Sequence, residues 1–315
     1  MPTKLGSNNI DLKIGNQTVD KMFLGSTQVY EHQTPPPTVA GRLKLTFLES
    51  GTFSFTCDDE SEHEGIDLNY RLNNGAETPF SFGEEIEVEE GDVVELFGDN
   101  ETFSNLNSAI YCVCSVQFNL SGDIRSLLSK NDFESITTIL DYAFWYMFSN
   151  QPVVSAEDLI ISADYIGLNA FDDCFYGCQA MTTAPKEIVA NTVGPLCFWL
   201  MFGESHLLNT SPDFKITTFA FGSLKSCFNN CSSLTQLPRF YATTIPSNCC
   251  EQMFRGCSQI KLSTTQTGEY QNAYHIPNGV SASYTSMFAS TGGTFTGTPN
   301  PNTTYYTSNE IVGDE

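Results

Sequence analysis

The chain has 315 residues, 40% of them apolar, with 14 basic against 37 acidic side chains and a net charge of −23. That length can bury cores without disulfide or metal staples, and the composition excludes a disordered chain. The charge repels phosphates, which sets nucleic acid aside as a partner. With 24 Phe against 2 Trp, and many Thr, Ser and Asn, the residues favour short strands and turns over long helices. The first fifteen residues carry no apolar leader segment, and no window reaches the roughly 18 apolar residues of a membrane span, so neither a secretory signal nor a span is expected. Synthesis in a reducing cytosol, with the cysteines as thiols, follows.

In chain order, residues 1–34 open on a short repeat. "LGSNNI", "IGNQTV" and "LGSTQV" each place an aliphatic residue, Gly, polar residues and then a β-branched one: Leu5, Gly6, Ile10; Ile14, Gly15, Val19; Leu24, Gly25, Val29. Gly followed by Ser or Asn between strand formers signals a tight turn. So little apolar content makes no core alone, so this segment is expected to pack on another chain. The three prolines within the linker 35–41 read as a stiff spacer. Residues 42–118 alternate as strands, with Leu43, Leu45 and Phe47 on one face, and predict a small antiparallel β-sandwich. Two acidic runs, 58–64 and 83–92, lack the D-x-D-x-D-G calcium loop and read as solvated edges that discourage strand pairing; His63, within the first, reads as a solvated loop residue.

Over 119–290 a longer repeat appears. Phe148, Phe175, Phe202, Phe228, Phe254 and Phe288 are spaced 27, 27, 26, 26 and 34 apart. One residue before each stand Met147, Cys174, Met201, Cys227, Met253 and Met287; three after stand Cys178, Ser205, Cys231 and Cys257. Positions −4, −1, 0 and +3 relative to each Phe follow the i, i+3, i+4, i+7 pattern and predict about two helical turns per repeat with one apolar stripe. Segments such as "SLTQLP" read as short strands. Helices this short need neighbours, so side-by-side stacking into a solenoid of about six repeats is expected, followed by a cap or tail over 291–315. The predicted class is mainly β with short helices: a β-anchor, a small sandwich and a solenoid.

The pair Cys227 and Cys231 could suggest a metal site. Across the repeats, however, Cys alternates with Met in one column and with Ser205 in the other. Met and Ser are poor zinc ligands, so both columns, Cys174, Cys178, Cys227, Cys231 and Cys257 included, read as packing slots. Cysteines at i and i+4 of a helix cannot form a disulfide without distorting it. His32, His63, His206 and His275 sit in no metal spacing, and no P-loop, nucleophile elbow or dinucleotide fingerprint occurs. No catalytic residue, cofactor or metal ligand is therefore assigned, and the protein is not expected to be an enzyme.

"CFNNCSSLTQLP", "MFRGCSQI" and "CFYGCQAMTTAP" resemble leucine-rich repeats of the BspA-like type, over residues 118–311. The N-terminal Gly-turn repeat is similar to segments that open phage virion proteins. Together they resemble head-fibre or tail-fibre proteins of crAss-like phages of gut Bacteroidales. The departures are Thr264 where the repeat expects Pro, and eight extra residues before the last copy (34 against 26). The resemblance implies a homo-oligomeric fibre or decoration protein on the virion surface, with a trimer expected. Its N-terminus would bind capsid or tail proteins, and its repeats would bind host-cell surface or glycan. A bacterial surface adhesin and a polysaccharide-cleaving spike are the alternatives. Elemental analysis of the purified protein should find far less than one zinc per chain; a stoichiometric zinc would overturn the packing reading of the cysteines.

Overall fold

A computed structural model describes residues 13–14, 17–18, 21–24, 27–31 and 41–313. The chain divides into two compact units, residues 1–40 and 41–315. In the first, β1 (Lys13–Ile14) pairs antiparallel with β2 (Gln17–Thr18), and β3 (Lys21–Leu24) with β4 (Thr27–Glu31). Ile14 pairs with Gln17 in the first hairpin and Leu24 with Thr27 in the second. Of the proposed anchor residues, Ile14, Leu24 and Val29 lie in these strands; Leu5, Gly6, Ile10, Gly15, Val19 and Gly25 lie outside the described residues.

The second unit is mainly β, built of several sheets without a long helix. It opens with β5 (Leu43–Phe47), β6 (Gly51–Cys57), β7 (Asn69–Leu72), β8 (Thr78–Pro79), β9 (Ile86–Val88), β10 (Val93–Phe97), β11 (Ile110–Cys114) and β12 (Phe118–Asp123). Strands β12-β5-β10-β7-β8 form one antiparallel run and β11-β6-β9 another. The alternation expected of β5 holds: Leu43, Leu45 and Phe47 are fully buried while Lys44 and Thr46 are not. Phe rings join the two layers, Phe47 lying 5.3 Å from Phe53. The first acidic run departs from expectation. It ends in a 3-10 turn, Glu60–His63, capped by the Asp59 carboxylate on the Ser61 N–H, and His63 is buried with its ring 6.1 Å from Phe82. Its imidazole covers an aromatic edge instead of facing water, and burial lowers its pKa.

Strand β12 is shared. It runs antiparallel to β5 and parallel to β14 (Val153–Ile166), so the sheet continues past residue 118 into the repeats without a break. Its exit is fixed by a buried ion pair: Asp123 accepts from Arg125 at 2.7 Å, and the same guanidinium donates to the Ile136 carbonyl at 2.8 Å. Beyond lie β13 (Thr138–Ile139), β15 (Glu187–Val193) and β16 (Asp213–Thr218), all in parallel register. Ile161 pairs with Ile188 and Ile188 with Phe214. These steps of 27 and 26 equal the spacing of the Phe column.

The Phe column is a stack of six rings. Successive centroids from Phe148 to Phe288 lie 5.6, 5.6, 5.4, 5.5 and 5.4 Å apart, with planes within 12° of parallel. The two-turn helices expected around it are absent, and a different structure takes their place. In the first repeat, Phe144, Tyr146, Phe148 and Asn150 donate their N–H sideways to Ala170, Asp172, Cys174 and Tyr176. The residues between them, Trp145, Met147 and Ser149, donate three residues back. Every fourth residue has positive φ: Tyr142, Tyr146 and Asn150, then Asn169, Asp173 and Gly177. An α-helix uses every interior N–H along its own axis and leaves none for a neighbour. A run of turns leaves alternate N–H groups free, and the neighbouring repeat accepts them. Side chains consequently point two in and two out with a period of four. The buried set adds a small-residue column at −5 (Ala143, Ala170, Cys197, Ser223, Cys249, Ser283) to the expected stripe.

The column at +3 is a donor slot. The thiols of Cys178, Cys231 and Cys257 donate to the carbonyls of Phe148, Phe202 and Phe228, one repeat back, at 3.1, 3.0 and 2.9 Å. Ser205 donates to Phe175 at 3.0 Å in the same way. All eleven cysteines are free thiols.

The stack ends on β17 (Gln236–Pro238), β18 (Thr244–Ile245), β19 (Leu262–Ser263), β20 (Asn272–Ile276), β21 (Asn278–Gly279), β22 (Thr303–Thr307) and β23 (Glu310–Val312). Phe288 has no further repeat to bond, and Gly297 of the tail takes both its N–H and its carbonyl. Because the +3 slot asks for a donor, Cys231→Ser should nearly preserve stability. Cys231→Ala should fall below the Ser variant by about 1 kcal/mol in denaturant unfolding.

Candidate binding face

The two-in, two-out pattern displays side chains in columns along the turn runs, spaced at about 4.8 Å, the distance between neighbouring strands. At −3 the first three repeats show Trp145, Asp172 and Trp199, the chain's two tryptophans flanking an aspartate. At −2 they show Tyr146, Asp173 and Leu200. The later repeats show Lys225, Glu251 and Thr285, then Ser226, Gln252 and Ser286. Lys225 and Glu251 simply pair with each other at 3.1 Å. The turn face is therefore aromatic at its start and polar toward its end.

Trp145 is half-buried and meets Tyr142 and Tyr146 edge-on at 5.5 and 5.1 Å, while Tyr146 is 39% exposed. The indole N–H of Trp145 has no hydrogen-bond partner among the described residues. Next to this cluster opens a recess of ≈ 330 Å³ lined by Asp58, Tyr111, Trp145, Tyr146, Asn150 and Gln151. Its far wall comes from β11 and the loop after β6. Gln151 fixes that wall by accepting the Cys114 N–H at 2.9 Å. Flat amphipathic rings beside a carboxylate and two amides form a surface that can stack on an apolar ring face and hydrogen-bond its substituents.

Asp172 and Asp173 lie under the aromatic rim, 3% and 6% exposed. Asn169 donates to one Asp172 oxygen at 2.5 Å, and the other has no partner among the described residues. Burial, and then the charge of Asp173, push the Asp172 carboxyl far above the carboxylate range. Burial also raises Asp173, and the Tyr146 hydroxyl beside it holds it lower than its neighbour. Asp172 therefore keeps a proton that an exposed aspartate would lose. Burial and the Asp173 charge push the Tyr146 hydroxyl up to about 12, so it remains a donor.

The repeat-core residues take no part in this face. Phe148, Phe175, Phe202, Phe228, Phe254 and Phe288 are fully buried in the ring stack. Cys174, Cys178, Cys227, Cys231 and Cys257 are fully buried, and desolvation raises their pKa, which keeps them as thiols. Among the described residues no group of three or more His, Cys, Asp or Glu is placed to hold a metal, and no helix is long and apolar enough to cross a membrane. Sequence reasoning missed Trp145, Tyr146 and Asp172. Their signal was there: the tryptophans stand 54 residues apart, two repeats of 27, in one column. No family model, curated protein or solved structure matches the chain.

The buried pair sets a pH dependence with a definite sign. The folded state holds a proton on Asp172 that the unfolded chain releases near the ordinary carboxylate pKa. The stabilisation is thus fully present below that pKa and is lost as pH rises through the higher folded value. Asp172→Asn should unfold later than the parent at pH 8, by of order 2 kcal/mol. The difference should shrink toward pH 4 in parallel thermal melts.

Proposed function

We propose that this protein is a virion fibre or decoration protein of a phage like the crAss-like phages. Residues 1–34 dock it to capsid or tail proteins, and a BspA-like leucine-rich-repeat solenoid presents the aromatic turn face to host-cell surface or glycan. The observation that carries the reading is the division of the chain. A small unit contains two-stranded hairpins, and a separate large unit stacks repeats and displays tryptophans on one face. Isolated two-stranded hairpins are marginal in water, so such a unit gains stability from partner strands, in neighbouring copies or in a virion protein. The lateral step of 26 to 27 residues and the Met/Cys-Phe columns support the repeat family. The role is structural and adhesive, and the proposal includes no catalysis.

The acidic surface suits this role, since like-charged copies crowded on a particle repel one another. A trimer is the proposed assembly, because short β-repeats close most simply around a symmetry axis. Deleting residues 1–34 should leave a folded, monomeric protein by light scattering that is missing from purified particles, while the full chain is trimeric and incorporated. Normal incorporation of the truncated chain would sink the anchoring role.

A further inference from the structure

A second recess lies outside the turn face, where the large sheet stops. The nine-stranded sheet ends at β16. The repeat step of 26 would bring residues 239–244 alongside it, but β17 pairs with β23 and β18 with β21. Between β16 and these strands lies a groove of ≈ 1270 Å³. A smaller recess of ≈ 500 Å³ shares Tyr241, Ala273 and Ile311 with it.

The groove has one buried polar group that lacks a partner. Asp213 is 7% exposed; one oxygen accepts the Tyr241 hydroxyl at 2.8 Å, and the other has no donor among the described residues. Gly313 packs beside it, and a Cβ there would stand 2.9 and 3.1 Å from the two carboxylate oxygens. Tyr241 is 37% exposed, with the Arg239 guanidinium 5.5 Å above its ring. Arg239 also donates to the Gly313 carbonyl at 2.9 Å, fixing that edge.

Three features select the ligand class. The lining carries Lys186, Lys215 and Arg239 against Glu187, Asp213 and Glu310, so it is locally balanced in a chain of net −23 and gives no net pull on an ion of either sign. Donors stand beside acceptors along the lining, Lys215 next to Glu187 and Tyr241 next to Asp213, which matches hydroxyl groups, each of which is both. The exposed tyrosine ring offers a flat amphipathic platform, and the volume exceeds the roughly 300–1,000 Å³ of single small-molecule sites. We infer that this groove binds an oligosaccharide, with Tyr241 as the ring platform and Asp213 as the hydroxyl acceptor on its floor. The groove shares no residue with the turn-face recess, so it stands or falls apart from the adhesive reading of that face.

The test is calorimetric titration of the full chain with linear hexasaccharides of β-1,4-glucose, α-1,4-glucose, β-1,4-N-acetylglucosamine and α-mannose. At least one should bind, with affinity falling roughly tenfold in Tyr241→Ala and severalfold in Asp213→Asn. Trp145→Ala should leave that binding unchanged, and circular dichroism should show all three variants folded. A panel without a binder would overturn the proposal, as would equal affinity in the parent and Tyr241→Ala. Loss of binding on Trp145→Ala alone would assign the sugar to the turn face and also overturn it. An oligolysine peptide that binds through Asp213 while no sugar does would replace the saccharide with a cationic ligand.

Discussion

The sideways hydrogen bond between repeats governs the rest of this architecture. A backbone that sends alternate N–H groups to its neighbour cannot be an α-helix, and it must turn back on itself within four residues to stay in register. That requirement places a left-handed residue at every fourth position, at a cost of about 1–2 kcal/mol for each one with a side chain. Tyr142, Leu196 and Leu200 all accept it. The lateral bonds, the ring stack and the thiol-to-carbonyl contacts all join each repeat to its neighbour, so each supports the others. The last repeat shows the constraint most plainly, because the Gly297 carbonyl of the tail accepts the Phe288 N–H, as the −1 carbonyl of a next repeat does for every earlier Phe.

The same constraint separates core from surface. Two inward positions in every four are committed to packing and hold small, sulfur-bearing or aromatic side chains, with Leu224 the one branched aliphatic among positions −5, −4, −1 and 0. The two outward positions vary more freely, although in the second repeat Asp172 and Asp173 are themselves buried. Evolution can therefore place Trp145, Asp172 and Trp199 along one column in three repeats, and Lys225 with Glu251 in the next two, without disturbing the ladder beneath. The one inward feature that chemistry could mistake for a site is the run of cysteines: Cys178, Cys231 and Cys257 are explained by hydrogen bonding and the others by burial in the core. A thiol or hydroxyl at +3 reaches back to a carbonyl, and Cys and Ser are interchangeable there for that reason.

Much of this was legible in the sequence, down to the residues. The Phe period, the alternation of β5 and the short strands after each turn run follow directly from spacing. The period within each repeat was misread, because positions −4, −1, 0 and +3 fit a 3.6-residue helix and a four-residue turn equally well. The column at −5 distinguishes the two: Ala143, Ala170 and Cys197 are inward in a period of four. The alternation at +2 was a second signal. Asn150 faces Gly177 and Asn230 faces Gly256, where a Cβ would stand 2.3 and 2.1 Å from the Asn oxygen. Asn and Gly are the residues that best tolerate positive φ. His63 was misplaced because local charge says nothing about an aromatic neighbour, Phe82, brought in by the fold. The groove was beyond reach for the same reason, since Asp213, Tyr241 and Glu310 meet only in three dimensions.

A regular stack makes smooth faces, and recesses arise where regularity stops. The partner expected for β17 by the repeat step is Leu262–Ser263, yet β23 from the tail takes that place and β19 pairs with β22 instead. The extra eight residues of the last repeat allow this exchange by carrying β20 out to meet β22. What reads in the sequence as a defect, a 34-residue spacing in a 26-residue series, supplies strands of the end assembly that lies across the groove from β16, the last strand of its sheet. The same logic places the other recess at the opposite irregularity, where the first turn run meets β11 instead of a preceding repeat.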